Sequence, residues 1–300
     1  LTTRIVGLVK RSDTHRPLRA HQGRLPLPRP VTLPIAIVLM LGCIAPAWAA
    51  TLERVEFDSA APRLDSPILG DPIQGDLARP DGAGPFPAVI ALHGCAGMHD
   101  TTKQRLADAL VAWGYVVLLV DSYATRGINH VCTSGAFATF VKRRQDAYGA
   151  LDFLARQSFV DRHRVAAVGF SAGAWVTLSV AEPNSFEQFV PPDSDLRFRA
   201  AAAFYPPCRG ASTRPGIPTL IFIGAADDWT PAADCSGKVA DWGNDGRPIE
   251  LIVYPGAYHG FYYVHLQPGA RLFDHWLEYN GAAAGDATDR LHRFLDRHLN

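Results

Sequence analysis

Arg164-Val165-Ala166-Ala167-Val168-Gly169-Phe170-Ser171-Ala172-Gly173-Ala174-Trp175-Val176-Thr177-Leu178-Ser179-Val180 reads as a strand, a sharp turn and a helix. Val165–Val168 is a short apolar run with β-branched ends, and Ala174–Val180 has helical character. Between them stands Gly169-Phe170-Ser171-Ala172-Gly173. A glycine on each side of the serine lets strand and helix backbones approach where a side chain would collide. Such a turn lifts the Ser171 hydroxyl clear of the sheet and sets it near a helix N-terminus, where negative charge is favoured. A chance glycine-rich turn would give the same five letters, so their weight rests on the rest of the chain.

Working outward, apolar runs alternate with helical patterns. Strands are expected at 87–92, 115–120, 164–168, 200–205, 219–223 and 250–254, and helices at 102–113, 137–157, 174–180 and 287–299. Strands that are apolar throughout, separated by helices, predict an α/β fold: a mostly parallel central sheet with helices on both faces, a three-layer sandwich. Residues 52–80 are expected to add one or two antiparallel strands. No linker interrupts residues 50–300, which are taken as one domain.

A serine hydroxyl is a poor nucleophile until a base removes its proton. The base is usually a histidine oriented by a carboxylate. With a strand–turn–helix nucleophile the chain order is serine, acid, histidine, the last two just beyond strand ends. Two loops meet that demand. Gly224-Ala225-Ala226-Asp227-Asp228-Trp229-Thr230-Pro231 follows strand 219–223, and Pro255-Gly256-Ala257-Tyr258-His259-Gly260-Phe261 follows strand 250–254. A lone loop histidine is more often structural, but His259 completes a set in the right order. Spacing leaves the acid open between Asp227 and Asp228, the other serving as an N-cap before Pro231. The oxyanion would be held by the backbone N–H of Ala172 and by one from His93-Gly94-Cys95-Ala96-Gly97, with Cys95 chosen over Gly94. His93 is read as a structural residue of that turn.

Other residues near these motifs are candidate substrate contacts. Arg126 either binds a substrate carboxylate or pairs with an internal acid. Tyr123, Trp229 and Tyr258 are placed at an apolar pocket, Trp175 in the core, and Asp146 in a structural role. The stretch 262–285 is expected to cover the site.

Bulk properties narrow the classes. The chain has 300 residues, 48% of them hydrophobic, and a formal net charge of zero. A neutral balance carries no footprint for nucleic acid. The first fifty residues differ from the rest. Arg4, Lys10, Arg11, Arg16, Arg19, Arg24 and Arg29 precede the apolar run Val31–Ile44, which leads to Ala45-Pro46-Ala47-Trp48-Ala49-Ala50. A basic flank, an apolar core too short for the roughly 20 residues of a spanning helix, and an Ala-x-Ala ending describe a secretory leader over residues 1–49. Export to the periplasm or outside the cell is therefore expected, with no stable membrane anchor after cleavage. Lipidation at Cys43 is the less favoured alternative, because Leu41 stands where a small residue is needed.

Cleavage leaves Cys95, Cys132, Cys208 and Cys235, an even number in an exported chain. Cys95 and Cys132 would lie on loops after neighbouring early strands, and Cys208 and Cys235 after neighbouring late ones. Disulfides Cys95–Cys132 and Cys208–Cys235 are predicted, the first stapling the oxyanion loop and the second bracing the loop with Asp227.

Leu92-His93-Gly94-Cys95, Asp121-Ser122-Tyr123 with Arg126-Gly127, Gly169–Gly173, Gly224–Pro231 and Tyr258-His259-Gly260-Phe261 together resemble the dienelactone hydrolase family, over most of residues 52–300. The resemblance implies an α/β-hydrolase fold and hydrolytic activity. The family's acid lies four residues before a proline, which selects Asp227. Two departures bear on substrate. The family's founding members carry cysteine where this chain has Ser171, and glutamate in the loop where it has His93. Both point away from dienelactones. The expected activity is hydrolysis of a small carboxylic ester by Ser171, His259 and Asp227 with no cofactor and no metal. A peptidase, an acyltransferase or a non-catalytic binding protein on the same fold are the alternatives.

Overall fold

The computed structural model of the chain describes residues 49–61, 70–133, 137–189, 195–211, 213–243 and 246–300, without the side chains of 137 and 138. Residues 1–48 of the expected leader, with Cys43, lie outside them. The strands are β1 (Glu53–Asp58), β2 (Pro72–Ala78), β3 (Phe86–Leu92), β4 (Val116–Asp121), β5 (Val160–Phe170), β6 (Ala200–Phe204), β7 (Thr219–Gly224), β8 (Ile249–Tyr254), β9 (Ala270–Leu272) and β10 (His275–Leu277). The helices are α1 (Asp100–Ala112), α2 (Phe137–Ala155), α3 (Ala172–Ala181), α4 (Ala232–Trp242) and α5 (Gly281–Leu299).

β1 to β8 form one sheet in the order β1-β2-β4-β3-β5-β6-β7-β8. β1 and β2 run antiparallel to their neighbours, and β4, β3, β5, β6, β7 and β8 are mutually parallel. β3, β6 and the Val165–Phe170 part of β5 are apolar throughout because both of their faces are covered. Val89 and Ala91 of β3 pack with Leu106 and Leu110 of α1 and with a core that includes Leu291 and Phe294 of α5. The alternate residues Ala88, Ile90 and Leu92 pack with Leu151 and Leu154 of α2 and Val176 of α3. α4 joins the second layer through Cys235, against Ala174, Leu178 and Ile221. The fold is the expected α/β sandwich, with two antiparallel strands leading in.

Three elements depart from expectation. α5 starts at Gly281, earlier than Ala287, because the Asn280 side chain accepts from Ala283 N at 3.1 Å and caps the helix there. α4 is a further helix, with Pro231 rather than an aspartate at its N-cap position and no side-chain cap bond. The short hairpin β9–β10 turns through Phe273 and Asp274, both at positive φ (51° and 66°).

The strand order decides where the chemistry gathers. β3, β5, β7 and β8 all end at the same sheet edge, so the loops after them converge.

Candidate active site

Ser171 is the residue between β5 and α3. Its backbone is strained, with φ 52° and ψ −116°, a conformation kept only where surroundings impose it. Those surroundings are backbone. A Cβ on Gly173 would lie 2.1 Å from Leu92 O and 2.5 Å from His93 O, and one on Gly169 would lie 2.3 Å from Gly173 O. Both glycines are therefore required for the elbow to close against β3.

The structure brings Ser171, His259 and Asp227 together. Ser171 Oγ lies 2.9 Å from His259 Nε2. His259 Nδ1 lies 2.8 Å from Asp227 Oδ2. A carboxylate only accepts, so the proton sits on Nδ1 and Nε2 is left to accept from the serine hydroxyl. Asp227 and His259 are both buried. The carboxylate is fixed on its other side by Trp229 N at 3.0 Å and Thr230 N at 2.7 Å, both donating to Oδ1. The Thr230 hydroxyl, 2.9 Å from Oδ2, adds a contact that sequence reasoning missed. Asp228 does not cap α4. Its carboxylate faces outward, accepting from Trp276 N at 3.3 Å and lying 3.4 Å from His275 Nδ1, so it anchors β10.

Ala172 opens α3, where the first N–H groups lack intrahelical partners. Its neighbour across the elbow is the loop after β3. There the His93 carbonyl accepts from Arg143 Nη2, and the Gly94 carbonyl lies 2.7 Å from His93 Nδ1. Nε2 of the same ring accepts from Ser122 N at 3.2 Å, so Nδ1 is the donor and the ring is neutral. Burial, with Arg143 beside it, pushes His93 down to about 3. These bonds fix the Gly94–Cys95 peptide plane and so the direction of the Cys95 N–H. Cys95 and Ala172 border the same recess beside Ser171.

Both disulfides are present. Cys95–Cys132, with Cα atoms 5.0 Å apart, ties this loop to the segment after β4. Cys208–Cys235, at 4.9 Å, ties the turn after β6 to α4. Cys235 thus stands inside a helix rather than on the Asp227 loop itself.

Of the expected substrate contacts, Trp229 is at the site, its ring 5.0 Å from that of His259. The other three do not line the recesses at Ser171, and for Arg126 it is the internal pairing that is found. Arg126 is turned inward: Nη1 and Nη2 each donate to Asp146 at 2.8 Å, Nη1 also to Ser122 O at 2.8 Å, and Nε to Asp71 at 3.0 Å. Four of its five N–H groups are used in this way, and Asp146 has the structural role expected of it. Tyr123 is buried edge-on to His93 at 4.4 Å and lines a different recess, with Asp121 and Lys103. Tyr258 packs edgewise near Trp276 and lines neither recess at Ser171. Trp175, half-buried, packs against the core layer of α2 and α3 as expected, its Nε1 donating to Gly210 O at 3.2 Å. The stretch 262–285 does cover the site, through Tyr263, Leu266 and the β9–β10 hairpin.

A family model for the dienelactone hydrolase family matches residues 73–299, and the chain belongs to that family of hydrolases. The fold recurs in solved structures at low identity. A dienelactone hydrolase-like promiscuous phosphotriesterase from metagenomic libraries is 19% identical with a TM-score of 0.64, covering 84% of this chain and 100% of that one. An esterase from Pyrococcus furiosus is 17% identical with a TM-score of 0.57, covering 83% and 93%. A dienelactone hydrolase from Anabaena variabilis is 17% identical with a TM-score of 0.55, covering 83% and 100%.

Proposed function

We propose that the chain is an exported serine hydrolase that cleaves carboxylic esters of small molecules. The observation that carries this reading is the unbroken chain from Ser171 Oγ to His259 (2.9 Å) to Asp227 (2.8 Å). Ser171 attacks the ester carbonyl as its proton passes to His259 Nε2. Asp227 holds the ring's Nδ1–H and balances the imidazolium that forms. The N–H groups of Ala172 and Cys95 receive the developing oxyanion. His259 then gives its proton to the leaving alcohol oxygen. Water, deprotonated by the same nitrogen, releases the acyl group and restores the serine. Two disulfides support a working life in an oxidising compartment. The founding members' thiol is here a hydroxyl, which relies wholly on His259 for activation.

The test is Ser171→Ala with p-nitrophenyl acetate, paired with fluorophosphonate labelling. Turnover should vanish and the label should attach to Ser171 in the parent enzyme alone. Near-parental turnover in the variant would overturn the assignment. A panel of short peptide amides beside the esters separates esterase from peptidase.

A further inference from the structure

Ser171 stands where two recesses meet. One encloses about 250 Å³ beneath the β9–β10 hairpin, walled by Met98, Leu266, Leu272, Phe273 and Leu277, and it contains His259. The other, about 400 Å³, reaches Val131, Phe140 and Pro207 and contains Ala172 but not His259. Cys95, Cys132, Ser171 and Trp229 belong to both. An ester with its carbonyl carbon at Ser171 sends its two substituents apart, and His259 decides which goes where. The leaving oxygen must be within reach of the proton it receives. The alcohol portion therefore lies on the His259 side, under the hairpin, and the acyl portion beside Ala172.

The charge of the site is equally legible. No Lys, Arg, Asp or Glu lines either recess among the described residues. Residues 134–138, which follow Thr133, are Ser-Gly-Ala-Phe-Ala and carry no charge. Arg126 pairs with Asp146 and Asp71, and Lys103 with Asp76. Arg271 on β9 donates to the Asp274 carbonyl, and Arg143 is buried behind the loop after β3, donating to the His93 carbonyl and lining neither recess. On the recess wall the His99 and His265 rings stack at 4.4 Å, and burial together with His99 pushes His265 below the usual histidine range. An anionic group would enter this space with no lysine or arginine to meet it, only imidazole rings and the Tyr263 hydroxyl, and would lose hydration without a fixed opposite charge. Meanwhile Leu272 and Phe273, 41% and 39% exposed, leave apolar surface in water at the hairpin, as a binding rim does.

Resting on the ester-hydrolase reading, we propose that the substrate is an uncharged ester whose alcohol portion is a single aromatic ring or a short branched alkyl group, seated under the β9–β10 hairpin. A cavity of roughly 150 Å³ takes a benzene, so the hairpin recess suits a benzyl or phenethyl group.

The experiment measures kcat/KM of the intact enzyme on methyl, benzyl and 4-carboxybenzyl acetate. Methanol and benzyl alcohol are leaving groups of similar basicity, so the ratio reads recognition. Benzyl acetate should exceed methyl acetate by about thirtyfold, the effect of burying one phenyl ring. The added carboxylate should lower the rate by at least about tenfold. Leu277→Trp, which fills the recess, should collapse the benzyl-to-methyl ratio toward one. Leu272→Asp, at the exposed hairpin, should lower the same ratio without the folding risk of a core change. Equal or better turnover of 4-carboxybenzyl acetate, or a ratio untouched by both variants, would overturn the proposal. If the parent enzyme is labelled by fluorophosphonate and cleaves methyl acetate without a benzyl preference, this proposal alone falls. If labelling and all ester turnover are absent, the ester-hydrolase reading falls first.

Discussion

Arg126→Met tests the inward role of that guanidinium. Asp146 has a side-chain exposure of 0%, and Arg126 one of 12%. The pair is joined by two donations of 2.8 Å, and a third holds Ser122 O. Removing one partner of a buried pair leaves an uncompensated charge and costs about 3–5 kcal/mol. The Asp71 contact adds little, since that carboxylate is 41% exposed. In a unit of this size about 1 kcal/mol moves Tm by roughly 2–4 °C, so a fall of about 10 °C is expected by calorimetry. Arg126→Met/Asp146→Leu removes both charges and should recover most of that loss, the coupling appearing directly in the double-mutant cycle. KM for p-nitrophenyl acetate, measured well below Tm, should change less than about twofold. An unchanged Tm with a tenfold rise in KM for a succinate half-ester would refute this reasoning and make Arg126 a substrate contact.

Two further predictions follow from the acids and from His93. Asp227→Asn should lower kcat by about 10³–10⁴, whereas Asp228→Asn, which loosens only an exposed anchor of β10, should stay within about threefold; steady-state kinetics on one ester distinguish them. An unfolded histidine takes up its proton near pH 6.5, but folded His93 does so only near 3. Between those values the unfolded state binds more protons, so His93 lowers stability progressively as pH falls below 6.5 and contributes no slope above it. His93→Gln should lose roughly 1 kcal/mol per pH unit of that dependence, measured as urea midpoints from pH 7 to pH 4 against the parent.

Much of the fold was legible because its strands are covered on both faces. β3, β4, β6, β7 and the second half of β5 are short, almost wholly apolar runs that recur between helical patterns. A helix start after Pro231 was legible but the extent of α4 was not: Ala232–Trp242 buries only Cys235 fully, too narrow a stripe to mark its length. The hairpin was hidden for a different reason. Its turn uses Phe273 and Asp274 at positive φ instead of the asparagine or glycine that announces such a turn. At the site, motif and order anticipated that Ser171 and His259 would meet, since each follows a strand at the same sheet edge. Arg126 could not be resolved, because its partners lie 20 and 55 positions away and only folding reveals them. The same holds for Thr230, whose hydroxyl meets Asp227 and His259 only through the turn that Asp227 itself caps.

The order of strands across the sheet has a consequence for how activity arises as the chain acquires its structure. Ser171 and the loop beside it are supplied by β5 and β3 at the centre, while Asp227 and His259 arrive with β7 and β8 at one edge. Serine and histidine are 88 positions apart, and no local contact joins them early. The elbow closes against β3 and β6, whereas the partners of the Ser171 hydroxyl come only with the loops after β7 and β8. On the proposed function, turnover would report the completion of the sheet, since a molecule without its last two strands would hold Ser171 apart from Asp227 and His259.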